Sequence, residues 1–273
     1  MIDLWQAAVM GVVQGLTEFL PISSTGHLIL LPAVLGWSGP VTGLEFAVAL
    51  HVGTLAALLA AFWREWLVLG AACWGSLVRR SLQDRSARLG WLIALGTVPA
   101  AAAGLVIESQ IEGLRSPLTV GVLMVVVAVI MALADRWSAR ERDEYALGPL
   151  AALIIGSAQA VALAPGVSRS GITIVAGLGL GLTRASAARF SFLLSAPIIA
   201  GAAAKEGLEA VNAGLPAGEL AAYGVGILAA GVSGYVAIRG LIAYLGRRSL
   251  LPFVVYRIAI GLAVIALSLS GRI

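Results

Sequence analysis

Six stretches of this chain are apolar for long enough to cross a bilayer: Leu44–Trp63, Trp91–Ile107, Leu118–Ala134, Ala185–Ala204, Leu220–Ala243 and Pro252–Ser270. Each runs for about 17–24 residues, which suits a hydrocarbon core of about 30 Å. The pattern predicts six spanning helices. Two further regions are apolar but broken. Leu4–Leu16 reaches only about 20 Å as a helix. It runs into Thr17-Glu18-Phe19-Leu20-Pro21, where proline removes a donor and disfavours helix just before it. His27–Leu35 follows and ends at Gly36. Later, Leu147–Leu163 runs into Ala164-Pro165-Gly166 and resumes as Ile172–Leu182. Short, Gly/Pro-interrupted segments of this kind predict two re-entrant helical hairpins. Broken backbone at membrane depth is tolerated only against protein or a wet cavity. The competing reading, one kinked span over residues 4–35, would strand Glu18 against lipid.

The two breaks repeat each other. Gly11-x-x-Gln14 recurs as Gly156-x-x-Gln159, and Ser23-Ser24-Thr25-Gly26 as Ser168-Arg169-Ser170-Gly171, both at an offset of 145. Each half therefore reads as a hairpin followed by three spans. Three is odd, so the second half inserts upside down relative to the first. The predicted fold is an all-α integral membrane protein. Its single membrane domain, 1–273, consists of two inverted repeats at about 1–135 and 146–273.

Composition narrows this further. Hydrophobic residues make up 60% of the chain and charged ones 12%, against about 25% charged in a soluble domain. The longest polar stretch, Asp135–Glu144, is loop-sized, so any activity must reside in the membrane part. The arginines between Arg64 and Arg88, those in Asp135–Glu144, and Arg247-Arg248 mark the cytoplasmic face. The loops Glu108–Arg115 and Lys205–Glu219 are mainly acidic. Both termini are then outside, and the first apolar stretch is read as retained rather than cleaved. Basic residues scattered over short loops give no nucleic-acid footprint. Cys73, alone, excludes an internal disulfide and a multi-cysteine metal site.

Polar groups inside membrane segments are costly and are candidates for function. They concentrate at the breaks: Gln14, Glu18, Ser23, Ser24, Thr25 and His27 at the first, Ser168, Arg169, Ser170 and Thr173 at the second. Ser23–Gly26 and Ser168–Gly171 each open a helix, whose free N–H groups and positive dipole end suit anions. Gly26 and Gly171 let backbone approach a ligand closely. Arg169 brings a fork that fits phosphate oxygens. Glu18 is a hard oxygen ligand apt for Mg²⁺ or Ca²⁺ shared with phosphates. His27 is a proton-transfer group, three residues from Ser24 on one helix face. Ser24 is a nucleophile if His27 serves as its base. His51 reads as structural, Arg189 and Arg257 as structural pairs or carbonyl ligands, and Glu45 as interfacial. No zinc-ligand spacing and no nucleotide loop occurs. The chemistry points to hydrolysis of a bound phosphate ester or anhydride. The alternative is a lipid-phosphate flippase or anion transporter using the same midplane site.

Gln14-Gly-Leu-Thr-Glu18-Phe-Leu-Pro-Ile-Ser-Ser-Thr-Gly-His27 and Pro165-Gly-Val-Ser-Arg-Ser-Gly171 resemble the two signature motifs of the bacterial undecaprenyl pyrophosphate phosphatases of the BacA type. Leu50-His-Val-Gly-Thr54, Gly96-Thr-Val-Pro-Ala100, Arg189–Ser195 and Tyr256–Gly261 are similar too. The resemblance implies a metal-dependent hydrolase of the bacterial inner (plasma) membrane. Such an enzyme removes the terminal phosphate of the C55 isoprenoid pyrophosphate and returns the monophosphate carrier to cell-wall synthesis. Bacitracin resistance on overexpression follows. The family's catalytic residues map onto Glu18, Ser24, His27 and Arg169. The attacking group stays open between Ser24, His27 and water. Gly224, Gly226, Gly231 and Gly234 offer small-residue packing, in a homodimer or within the monomer.

Overall fold

The computed structural model describes residues 3–111, 116–213 and 219–271, side chains of 107–111 and 206–213 apart. Among them the architecture is all-helical, with one isolated β-bridge between Arg142 and Leu182. Six helices are long and apolar enough to cross a membrane. They are α3 (Leu44–Ala61), α5 (Arg85–Ile111), α6 (Pro117–Trp137), α9 (Arg184–Ala213), α10 (Leu220–Leu245) and α11 (Leu251–Leu269). All six predicted spans are therefore present. Two helices extend beyond their apolar runs. The α5 helix starts six residues before Trp91, where Asp84 Oδ1 accepts the N–H of Ser86 at 2.8 Å. The stretches read as acidic loops begin as helix, to Ile111 and Ala213. Residues 112–115 and 214–218 lie outside the described residues.

The basic stretch after Trp63 is a helix as well, α4 (Trp63–Arg79), and not a loop. It buries Leu69, Ala72 and Ser76, spaced three and four apart, and packs against α5. Ser76 Oγ accepts the indole N–H of Trp91 at 3.0 Å. Its other faces expose Trp63, Leu67, Val68 and Trp74. The polar stretch Asp135–Glu144 also differs from a simple loop. Asp135 lies in the last turn of α6, pairs with Arg184 and accepts the N–H of Leu250 at 3.2 Å. Glu144 is buried and accepts from Arg189 Nε at 2.8 Å, while Arg189 Nη2 reaches Glu65 at 3.3 Å. Arg189 is thus paired structurally, with carboxylates rather than carbonyls.

Four shorter helices form the two broken units. They are α1 (Leu4–Phe19) with α2 (Ser24–Leu35), and α7 (Pro149–Val161) with α8 (Arg169–Gly179). At 1.5 Å per residue each is about 16–24 Å long, short of a hydrocarbon core. Both breaks are built alike. Ser23 and Ser168 sit at φ +76° and +74°, a conformation serine rarely adopts. Each then caps the helix that follows, accepting the N–H of Gly26 at 3.3 Å and of Gly171 at 3.2 Å.

Helix packing exchanges partners between the halves. The first half's α1 lies along the second half's α10, and the second half's α7 lies along the first half's α5. Glycine permits both contacts. A Cβ on Gly11 would stand 2.3 Å from Gly226 O, and one on Gly156 would stand 2.1 Å from Gly96 O. Helix α3 packs on both α9 and α10, α9 packs on α5, and α6 pairs with α11. Of the four glycines singled out in α10, Gly226, Gly231 and Gly234 meet α1 or α3 inside the monomer, and Gly224 is open.

The breaks meet directly. Ser170 Oγ donates to Leu20 O at 3.1 Å. Arg257, fully buried on α11, donates to five carbonyls: Pro21 of the first break, Gly166 and Val167 of the second, and Leu123 and Met124 of α6. One guanidinium therefore ties carbonyls of both breaks to α6.

Candidate active site

A cavity of about 220 Å³ opens where the breaks meet. From the first break its wall takes Glu18, Ser23, Ser24 and Thr25, and from the second Ser168 and Arg169. Gln159 of α7 and His51 of α3 complete the polar part, with Ile198 and Ile199 of α9 among the apolar residues.

Glu18 is the centre of this arrangement. It lies in the last turn of α1 and is almost fully buried. One carboxylate oxygen forms an ion pair with Arg169. The other accepts from Ser24 Oγ at 2.6 Å and from Gln14 Nε2 at 3.0 Å, and faces His51 Nε2 at 3.7 Å. The α-helix supplies the Gln14 contact, since Gln14 and Glu18 are four apart on one face. Ser24 and Arg169 are the first residues of α2 and α8. They occupy equivalent positions, 145 apart, so one backbone device presents a hydroxyl from one side and a guanidinium from the other.

The other residues singled out in sequence are placed differently. Gly26 and Gly171 supply the N–H groups of the two caps. Ser170 ties the breaks together, and Thr173 donates to Arg169 O at 2.7 Å and contacts Ser191 Oγ at 2.6 Å. His27 is turned away from Ser24's hydroxyl. Its Nδ1 donates to Ser23 O at 2.7 Å, which leaves Nε2 to accept from the Tyr256 hydroxyl at 2.7 Å, and the rings stack 5.7 Å apart. The Ser24–His27 pairing expected from helical spacing is not formed; Ser24 is held by Glu18 instead.

Three residues of this neighbourhood were not singled out as site residues in sequence. Gln159 repeats Gln14, which was a visible signal. His51 is a titratable group in the apolar run of α3, the signal that marked Glu18. Tyr256 has no local signal, being 229 positions from His27. Two amides are also incomplete: Gln14 Oε1, and both Oε1 and Nε2 of Gln159, are buried with no hydrogen-bond partner. Each buried unsatisfied group costs roughly 1–3 kcal/mol.

Among the described residues no three His, Cys, Asp or Glu cluster to hold a metal by themselves. A hard divalent cation needs less from protein when phosphates share it, often one or two carboxylates. Glu18 and the orphaned oxygen of Gln14 fit that requirement. A second cavity of similar volume lies by Arg64, Glu65, Glu144 and Arg189, but there Arg189 is already matched by two carboxylates.

Residues 7–263 match the family described as "Bacitracin resistance protein BacA". The chain belongs to the BacA family. Relatives named "Undecaprenyl-diphosphatase" are similar along nearly their whole length. The Thermomicrobium roseum protein is 46% identical over 272 residues, covering 96% of this chain and 97% of the relative. The Geobacter sulfurreducens protein is 47% identical over 266 residues, covering 97% and 98%. The Geotalea daltonii protein is 46% identical over 261 residues, covering 95% and 96%. With its six apolar helices, this BacA-family chain is a multi-pass membrane protein.

Proposed function

We propose that the protein is an undecaprenyl-diphosphatase that hydrolyses the C55 isoprenoid pyrophosphate to undecaprenyl phosphate and inorganic phosphate. Recycling the lipid carrier for peptidoglycan synthesis, and resistance to bacitracin, follow from that reaction. The observation that carries the reading is the convergence of Glu18, Ser24 and Arg169 in one cavity at two helix starts. The names of relatives similar over nearly their whole length support it too.

The lipid tail remains in the bilayer while the pyrophosphate enters between the breaks. Arg169 and the N-termini of α2 and α8 neutralise charge on the phosphoryl oxygens. Ser24 Oγ attacks the terminal phosphorus, and its 2.6 Å bond to Glu18 supports the carboxylate as acceptor of the proton. The anhydride P–O bond breaks, undecaprenyl phosphate leaves, and water then cleaves the phosphoseryl bond to release inorganic phosphate. A divalent cation, Mg²⁺ or Ca²⁺, held by Glu18 and Gln14 would offset phosphate charge. Purified protein should release phosphate from a polyprenyl pyrophosphate with Mg²⁺ or Ca²⁺ and stop in EDTA. No release under either metal would sink the reading.

The same proposal covers topology. The two broken units are re-entrant hairpins of two inverted repeats, with both termini outside the bacterial inner membrane. The matched serine caps and the exchange of α10 for α5 as packing partner support this. Thiol labelling of intact cells, with single cysteines at either terminus in a Cys73→Ser background, tests it; protection of both would reverse the orientation. Partner exchange between inverted halves is also transporter architecture. Lipid flux in proteoliposomes without hydrolysis would replace the enzyme with a flippase.

A further inference from the structure

The two halves of the site are alike in backbone and unlike in chemistry. At the offset of 145, Gln14 corresponds to Gln159 and Glu18 to Leu163. In the first half the amide of Gln14 has a partner one turn on, Glu18 Oε2 at 3.0 Å. In the second half that position is leucine. Gln159 is consequently left with neither of its amide atoms bonded, although the residue is 2% exposed. It also lines the cavity that holds Glu18, Ser24 and Arg169. These unmet donors and acceptor belong to a residue of the cavity wall, where an entering ligand can supply the partners that the helix does not.

We propose that Gln159 is a substrate-binding residue that grips the pyrophosphate group. Its N–H donors take a non-bridging phosphoryl oxygen. Its carbonyl oxygen takes a donor that arrives with the ligand, a water or the cation's hydration shell. The cavity's neighbours agree with that assignment: Arg169 and the serine-capped start of α8 already favour an anion there. The inference rests on the hydrolase reading for its substrate but not for its ligand chemistry. Gln14 differs in having one of its two amide atoms already bonded to Glu18.

The test separates binding from structure. Gln159→Met keeps the length of the side chain and removes its polar atoms, and thermal unfolding is followed in detergent with Mg²⁺ and inorganic pyrophosphate. Without ligand the variant should melt at or above the wild-type temperature, because no internal bond is lost. Gln14→Met, which breaks the bond to Glu18, should melt lower. With ligand, Gln159→Met should need about 10- to 100-fold more pyrophosphate for the same upward shift, and phosphate release from lipid pyrophosphate should show a raised KM. A wild-type response to pyrophosphate in Gln159→Met, or a melting temperature that falls without ligand, overturns the proposal, as does a wild-type protein that pyrophosphate does not stabilise. A wild-type protein that binds pyrophosphate through Gln159 yet releases no phosphate would overturn the hydrolase reading alone.

Discussion

Ser24 donates its hydroxyl proton to Glu18 at 2.6 Å, across the turn that Pro21 imposes between two helices. The contact couples the candidate nucleophile to the carboxylate that also pairs with Arg169. Ser24→Ala removes the hydroxyl and leaves Glu18 with its Gln14 and Arg169 partners, so the protein should stay folded, losing about 1 kcal/mol. Phosphate release should fall by on the order of 10³-fold or more if Ser24 forms the covalent bond. Activity within tenfold of wild type would transfer the attack to water.

Arg169 and Glu18 are partners in structure and, in the proposed mechanism, in chemistry, and a paired substitution separates the two. Arg169→Ala leaves a buried carboxylate without its counterion, which costs about 3–5 kcal/mol. Glu18→Gln in the same chain removes that charge, and the double variant should recover most of the lost stability. It should not recover phosphate release, since the group proposed to face the phosphoryl oxygens is still missing. Recovery of activity with stability would make the pair structural only. The readouts are the melting temperature in detergent and phosphate release, compared as a double-mutant cycle.

His27 reaches its surroundings through Tyr256, whose hydroxyl lies 2.7 Å from Nε2. Tyr256→Phe keeps the stacked ring and removes one hydrogen bond, worth about 0.5–1.5 kcal/mol, or several-fold in rate if His27 must be held in place. In a His27→Ala background the same change should have no further effect, because its partner is gone. Equal losses in both backgrounds would show Tyr256 acting independently of His27.

The chain announced its broken units through local chemistry: Pro21 and Pro165, the Gly and Ser runs after them, and the shared offset of 145. The prolines and the runs act over a few residues, and the offset only repeats them, so sequence carries all three. The α4 helix was hidden for the opposite reason. Its arginines, Arg64 and Arg79, and Arg80 just after it mark a basic connection, while the stripe Leu69, Ala72 and Ser76 becomes meaningful only once α5 is beside it. Asp135 looked like loop polarity until Arg184 and Leu250 came to it from 49 and 115 positions away. The same distance effect explains His51, which meets Glu18 only when α3 lies against α1. The expected Ser24–His27 pair rested on helical spacing alone. It lost to stronger acceptors, Glu18 for the serine and the Ser23 carbonyl for the imidazole.

Arg257 yields the most structural of the predictions, because its role is to hold the breaks together. It is fully buried and makes all of its bonds to carbonyls, three of them at the breaks themselves. Lysine keeps the charge but offers a point donor in place of a planar fork. Arg257→Lys should therefore strand several carbonyls, and each hydrogen bond lost from the charged group is worth roughly 1.5–3 kcal/mol. Melting temperature and phosphate release should fall together, while the concentration of divalent cation needed for half-maximal rate stays unchanged in the folded fraction. A variant that melts like wild type yet loses activity would move Arg257 out of the scaffold and into contact with the substrate phosphates.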